Sequence, residues 1–240
     1  MIKNIILFVS SLYLLGATTI EGTVSYGGNP KTPKVLKMDS DPICGTAHSI
    51  PPTKQDFMLN DNKFKNVIVW LKNIDYKGEL DFQPATIDQM GCRYTPHVNA
   101  VVVGQTVLIK NSDATLHNVN SKSKINDTFN SAQPAGVPEI KKEFSKSEEP
   151  FYIKCDVHPW MKAWVMVSAH PYFAVTDVNG YYKIENVPPG NYEIVFWQEK
   201  LSNLPAKIFN LPSNTLEIIV TEEDTTTADF MFDSPANYKK

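Results

Sequence analysis

Apolar residues fall in short runs separated by clusters of Gly, Pro, Asn, Asp and Ser, a rhythm of strands and turns rather than helices. Ile20-Glu-Gly-Thr-Val-Ser-Tyr26 predicts a strand that stops at the turn Gly27-Gly28-Asn29-Pro30. Lys34 to Met38 predicts a second, short one. Residues 39–63 are polar and carry Asp41-Pro42 and Pro51-Pro52, which reads as a loop region with little regular structure. Val67-Ile-Val-Trp-Leu71 is a continuous apolar run, suited to a buried strand. From about Ala85 a new unit begins, with strands expected at Ala100–Val103, Thr106–Asn111, Lys142–Phe144, Phe151–Cys155 and Ala163–Val167. Between them, residues 120–142 are polar and irregular. Beyond His170-Pro171, Tyr172–Thr176 and Tyr181–Ile184 predict a hairpin closed by Asn179-Gly180, a pair that favours a type I′ turn. Val187-Pro-Pro-Gly190 is a further turn, and Asn191–Trp197, Leu216–Val220 and Thr227–Phe232 complete an all-β reading.

Composition narrows this picture without changing it. The 240 residues suffice for one or two domains, and 42% hydrophobic with 20% charged residues is ordinary globular protein. A net charge of −3 offers no basic field for nucleic acid. Residues 1–19 read as an export signal: Lys3, an apolar run from Ile5 to Leu15, then the small residues Gly16, Ala17, Thr18 and Thr19. That run is shorter than the roughly 20 apolar residues of a membrane helix. No later segment is apolar enough to span a membrane, so a periplasmic or secreted protein is expected.

The chemistry concentrates in Cys155-Asp-Val-His158-Pro-Trp-Met161 and, upstream, Leu116-His117-Asn118. A thiolate, two imidazoles and a thioether are the ligands of a mononuclear type 1 copper centre, with methionine the weak axial donor. Cys155 closes an apolar strand, and His158 and Met161 follow at intervals that let one loop wrap an ion. His117 is expected to reach the ion from the neighbouring sheet, while Asn118 supports the loop by hydrogen bonds. With Cys155 a ligand, Cys44 and Cys92 remain to pair, as export favours. Cys44 with His48 and Cys92 with His97 also leave a second, Cys2His2 metal site open. Neither a hydrolase triad nor a phosphate-binding Gly-rich loop is recognisable. Trp160 and Trp164 read first as core residues, and the lysines at 122–124 and 141–142 as solvated charge.

Two resemblances follow from these residues. Val103-Gly-Gln-Thr-Val-Leu-Ile-Lys-Asn111, Leu116-His-Asn-Val119 and the ligand loop are similar to cupredoxins, with the loop closest to that of amicyanin, where Pro also follows the ligand His, as Pro159 does here. That resemblance covers roughly residues 85–168 and implies His117, Cys155, His158 and axial Met161 as ligands. Thr176-Asp-Val-Asn-Gly-Tyr-Tyr-Lys-Ile-Glu-Asn-Val-Pro-Pro-Gly-Asn-Tyr192 resembles the carboxypeptidase regulatory-like domain, a transthyretin-like sandwich. That domain's first strands are matched far upstream, at Gly22-Thr-Val24 and Val67–Leu71.

The expected architecture is a cupredoxin Greek-key β-sandwich (85–168) inserted into a discontinuous transthyretin-like β-sandwich (20–80 and 170–235). The expected function is a single-electron carrier with one copper, not an enzyme, passing electrons through the His158 edge to a redox protein such as a cytochrome, dehydrogenase or oxidase. The alternatives are an envelope scaffold that binds carbohydrate or protein around a structural copper, and copper storage or delivery. About 70 residues follow the ligand loop, and they are positioned to cover that edge.

Overall fold

A computed structural model describes residues 18–30, 32–204, 213–222 and 225–238. The segment 1–17, which holds most of the expected export signal, lies outside these residues. Strand makes up 45% of the structure and helix 4%, against roughly 20–25% and 30–35% in ordinary globular proteins. No helix among the described residues is long and apolar enough to cross a membrane.

Four sheets form, and their pairing separates the middle of the chain from its two ends. One sheet runs Asn130–Gln133, His117–Ser121, Glu148–Lys154, Lys162–Ser168, Val98–Val102; a second runs Ile140–Lys142, Val107–Asn111, Ala85–Gln89, Tyr94–Thr95. Their inward side chains, among them Ile87, Tyr94 and Ile109 from one sheet and Val119, Ile153 and Val165 from the other, share one core. The two sheets make an all-β sandwich around that core. The third sheet runs Tyr181–Val187, Thr18–Tyr26, Lys63–Lys65, Met58–Asn60, and Thr226–Thr227 and Phe230–Phe232 join Thr18–Tyr26 in parallel. The fourth runs Phe173–Val175, Ile68–Lys72, Gly190–Trp197, Thr215–Val220. These last two enclose a core of Val24, Phe64, Leu71, Tyr182, Phe196 and Phe232. Strict alternation of buried and half-exposed residues along Thr18–Tyr26 follows the pleat. Gly22 falls on its buried face, where a Cβ would collide with the Ala228 carbonyl of the crossing chain.

Three local expectations are corrected. Lys34–Met38 is not a strand; only Val35 bridges, to Thr53. The supposed loop at 39–63 holds a five-residue helix, Pro42–Thr46, capped by Asp41, whose carboxylate accepts from the Ile43 and Cys44 amides. Leu36 and Met38, just before this stretch, and Cys44 within it pack into the core of the middle strands rather than that of the ends. Asn179-Gly180 closes no hairpin: Phe173–Val175 pairs with Ile68–Lys72 in one sheet and Tyr181–Val187 with Thr18–Tyr26 in another. A type I′ turn needs positive φ at both central residues, and here only Gly180 has it, at +70°. Asp177 shapes the turn instead, accepting from the Asn179 and Tyr181 amides.

A smaller cluster, Ile68, Val98, Trp164, Met166 and Trp197, joins the two halves. Trp164 and Trp197 meet edge-on at 4.8 Å. Beside them, Glu199 pairs with Lys162 (2.7 Å) and His97 (2.7 Å), tying the end-built sandwich to the residue after Met161.

Candidate metal centre

The strand Glu148–Lys154 delivers Cys155, and Lys162–Ser168 carries the chain away antiparallel to it. Between them the backbone closes on itself: the Cys155 amide donates to the Met161 carbonyl (3.2 Å) and the Met161 amide to the His158 carbonyl (2.9 Å). The His158 amide points at Cys155 Sγ (3.3 Å). Cys155, His158 and Met161 are all buried. His117 opens the strand His117–Ser121, which pairs with Glu148–Lys154. It therefore comes from the same sheet as Cys155, not the neighbouring one, because the chain changes sheets before it, within residues 112–116.

Donor atoms of His117, Cys155 and His158 all lie within 4.8 Å of one another. His117 Nδ1 and His158 Nδ1 are 2.8 Å apart, and Cys155 Sγ is 3.8 Å from His158 Nδ1. Each ring is held from behind by a carboxylate. His117 Nε2 donates to Asp113 (2.9 Å), which also accepts from the Gly91 and Cys92 amides at 2.7 Å. His158 Nε2 donates to Asp41 (3.1 Å), which accepts from Thr115 Oγ1 at 2.9 Å as well as from its own helix. With both Nε2 atoms engaged, both Nδ1 atoms face the thiol. Carboxylate-backed imidazoles of this kind are fixed in tautomer and orientation.

Charge follows from the same contacts. Burial works against an ionised Cys155, but His117 and the backbone amides around it overcome this and hold the thiol below its ordinary pKa. Burial also works against a charged His117, yet Asp113 and Cys155 push its pKa up to about 9. His158 moves the other way, lowered by burial and by the charge on His117 despite Asp41. Desolvation works to raise Asp41, but hydrogen bonds from Cys44, Thr115, His158 and Ile43 together outweigh it and bring the carboxyl down to about 2.

Asn118 braces the loop. Its Oδ1 accepts from the Asp156 amide (2.7 Å) and lies 3.3 Å from Cys155 Sγ, while its Nδ2 donates to Asn130 Oδ1 (2.7 Å). Tyr94 Oη anchors the Asn118 carbonyl at 2.6 Å. Pro159 is exposed and sits on the loop's outer side. Met161 packs in the same core cluster as Cys155.

Cys44 and Cys92 form a disulfide, so neither sulfur is available as a thiolate. His48 bonds the Gly91 carbonyl (2.7 Å) and His97 bonds Glu199, so a Cys2His2 site is not assembled. The disulfide instead fixes the Asp41 segment against the site, with Cys44 Sγ 3.7 Å from His158 Nε2. Among the described residues, it is Asp41 and Cys44, from upstream of the middle strands, that cover the outer nitrogen of His158, rather than residues that follow the loop. Asp41 and Asp113 went unnoticed in the sequence. Asp113 stands four residues before His117, and Asp41-Pro42 is a helix-start signal.

Two imidazoles, a low-pKa thiol and a nearby thioether, dry and held by neighbours, form a donor set that fits copper and does not fit Mg²⁺ or Ca²⁺. No family model matches this chain, and no curated protein does. Solved structures similar to it include a Cu-containing nitrite reductase from Thermus scotoductus SA-01, at 22% identity and TM-score 0.34 over 41% of this chain. The match spans only 25% of that reductase. A purple cupredoxin from Nitrosopumilus maritimus matches at 27% identity and TM-score 0.30, over 35% of this chain and 99% of its own. Amicyanin from Paracoccus versutus matches at 18% identity and TM-score 0.31, over 42% and 97%. These neighbours are cupredoxins matched over less than half of the chain.

Proposed function

We propose that His117, Cys155 and His158 hold one type 1 copper, with Met161 as weak axial ligand, and that the protein is an exported single-electron carrier rather than an enzyme. The observation that carries this reading is the convergence of three buried donors, each imidazole locked from behind by its own carboxylate. Bound copper would supply one-electron chemistry between Cu(I) and Cu(II). The protein's part is to keep the donors still: Asp113 and Asp41 orient the rings, Asn118 ties the loop to its neighbouring strand, and the packed core excludes water. Little then has to move when the charge changes, which is what fast electron exchange requires. A cytochrome, dehydrogenase or oxidase is the expected partner.

The reading also takes residues 85–168 as a cupredoxin unit inserted in a regulatory-like sandwich made of residues 20–80 and 170–235, with Leu36, Met38 and Cys44 of the first part packing on the inserted unit. Strand pairing confined within each set supports it. Adding Cu(II) to the purified protein should give intense visible absorption from thiolate-to-copper charge transfer, lost in Cys155→Ser. A colourless wild type, or colour that survives Cys155→Ser, sinks the assignment.

One observation favours storage or a structural copper instead: His158 is buried, its outer nitrogen covered by Asp41 and the disulfide. Voltammetry of the loaded protein separates the two, since a carrier gives a reversible one-electron wave and a store does not.

A further inference from the structure

A cavity of about 200 Å³ opens against the outer side of the ligand loop, where the two sandwiches meet. Four cationic side chains line it (Lys54, Arg93, Lys162 and Lys200) against two carboxylates, Asp56 and Glu199. The carboxylates are already used: Glu199 pairs with Lys162 at 2.7 Å, and Asp56 with Lys200 at 3.0 Å. Lys54 and Arg93 are left over. Arg93 Nε is sealed from solvent and has no hydrogen-bond partner among the described residues. Nε, being sealed, is closed to a ligand, so the two terminal nitrogens of the guanidinium are the atoms that can meet an acceptor in the cavity that Arg93 lines. The guanidinium fork matches a carboxylate, which takes two parallel hydrogen bonds from it.

The remaining wall is mixed, with Gln55 and His97 on it and an apolar part beside them. Leu36, Pro159 and Trp160 face the same space. Trp160 is rigid there, its Nε1 donating to the Cys92 carbonyl (3.0 Å) and its ring 5.0 Å from that of His158. The volume lies below the roughly 300–1,000 Å³ of drug-sized sites, so the occupant is small.

We propose that this cavity binds a small organic carboxylate, its anionic head on Arg93 and Lys54 and its apolar body against Leu36 and Trp160. The site stands whether or not the ligand loop carries copper, though an occupant would touch the tryptophan that packs on His158.

Benzoate is the probe, titrated into the full-length, metal-free protein by calorimetry and by tryptophan fluorescence. Saturable binding is expected, weakened about tenfold or more in Arg93→Gln, as expected for losing a charge-assisted hydrogen bond. Lys54→Gln, at an exposed position that does not endanger folding, should weaken it about two- to fivefold. The fluorescence change should vanish in Trp160→Phe while the heat persists. No saturable binding would overturn the proposal, as would wild-type affinity in both Arg93→Gln and Lys54→Gln. So would inorganic phosphate binding as tightly as benzoate, since the apolar part of the wall would then contribute nothing. A fluorescence change surviving Trp160→Phe would place binding elsewhere and also overturn it.

Discussion

Between the strands contributed by the two ends of the chain, the core is aromatic and aliphatic: Phe64, Tyr182, Phe196 and Phe232 pack with Val24, Leu71 and Ile194. The middle strands enclose a core of the same size class that also holds His117, His158, Asn118, Gln89 and Gln133, all nearly or fully inaccessible. Apolar burial dominates the first, at about 25 cal/mol per Å² removed from water, with few buried polar side chains such as Thr176. The second gives up part of that gain to keep polar groups in fixed places. Gln89 Nε2 reaches Gln133 Oε1 at 2.7 Å, and Gln133 Nε2 reaches the Ile109 carbonyl at 2.9 Å. Such cost is tolerated where a site needs preorganised donors. One sandwich therefore reads as support, and the other as the carrier of the chemistry.

The difference can be broken from either side. Phe196 is fully buried and stacks on Phe230 at 4.3 Å. Phe196→Ala should cost about 3–5 kcal/mol in denaturant unfolding and leave the copper absorption of the folded fraction unchanged. Loss of the absorption in folded Phe196→Ala would show that the two regions are not separable. In the middle sandwich, the disulfide closes a sequence separation of 48 residues. Replacing both Cys44 and Cys92 by Ser should cost about 4 kcal/mol by the chain-entropy account and, unlike the aromatic change, should perturb the site beside His158.

Glu199 sharpens the comparison where the regions meet. Burial raises its pKa, but His97 and Lys162 overcome this and bring it to about 2, from an ordinary 4.5. Because the folded pKa is the lower one, its stabilisation is complete above pH 4.5 and is lost as pH falls toward 2, on the order of 3 kcal/mol. Unfolding measured at pH steps through that window should show a shallower loss in Glu199→Gln than in wild type; identical slopes would contradict the assignment. The smallest expected effect is at the site's rim. Asp41→Asn keeps the helix cap but weakens the hold on His158, and copper affinity from chelator competition should fall about 10–100-fold.

The sequence made the apolar strands and the grouping of His117, Cys155 and His158 legible for a physical reason, while Asn130–Gln133 and Ile140–Lys142, in a polar stretch, were missed. Runs such as Val67–Leu71 and the Cys-x2-His-x2-Met spacing are local, and local patterns survive without coordinates. The helix at Pro42–Thr46 was hidden because it is short and lies among prolines, although Asp41-Pro42 marked its start. Strand partners were not legible: Asn179-Gly180 has the composition of a hairpin turn, yet it moves the chain between sheets. Nor was the cover over His158 readable, since Asp41 and His158 are 117 residues apart and only the fold brings them together.

Copper K-edge X-ray absorption of the Cu-loaded, full-length protein tests the central claim most directly. One short copper–sulfur and two copper–nitrogen contacts are expected, with the sulfur contact absent in Cys155→Ser. A first shell of nitrogen and oxygen alone in the wild type would contradict it.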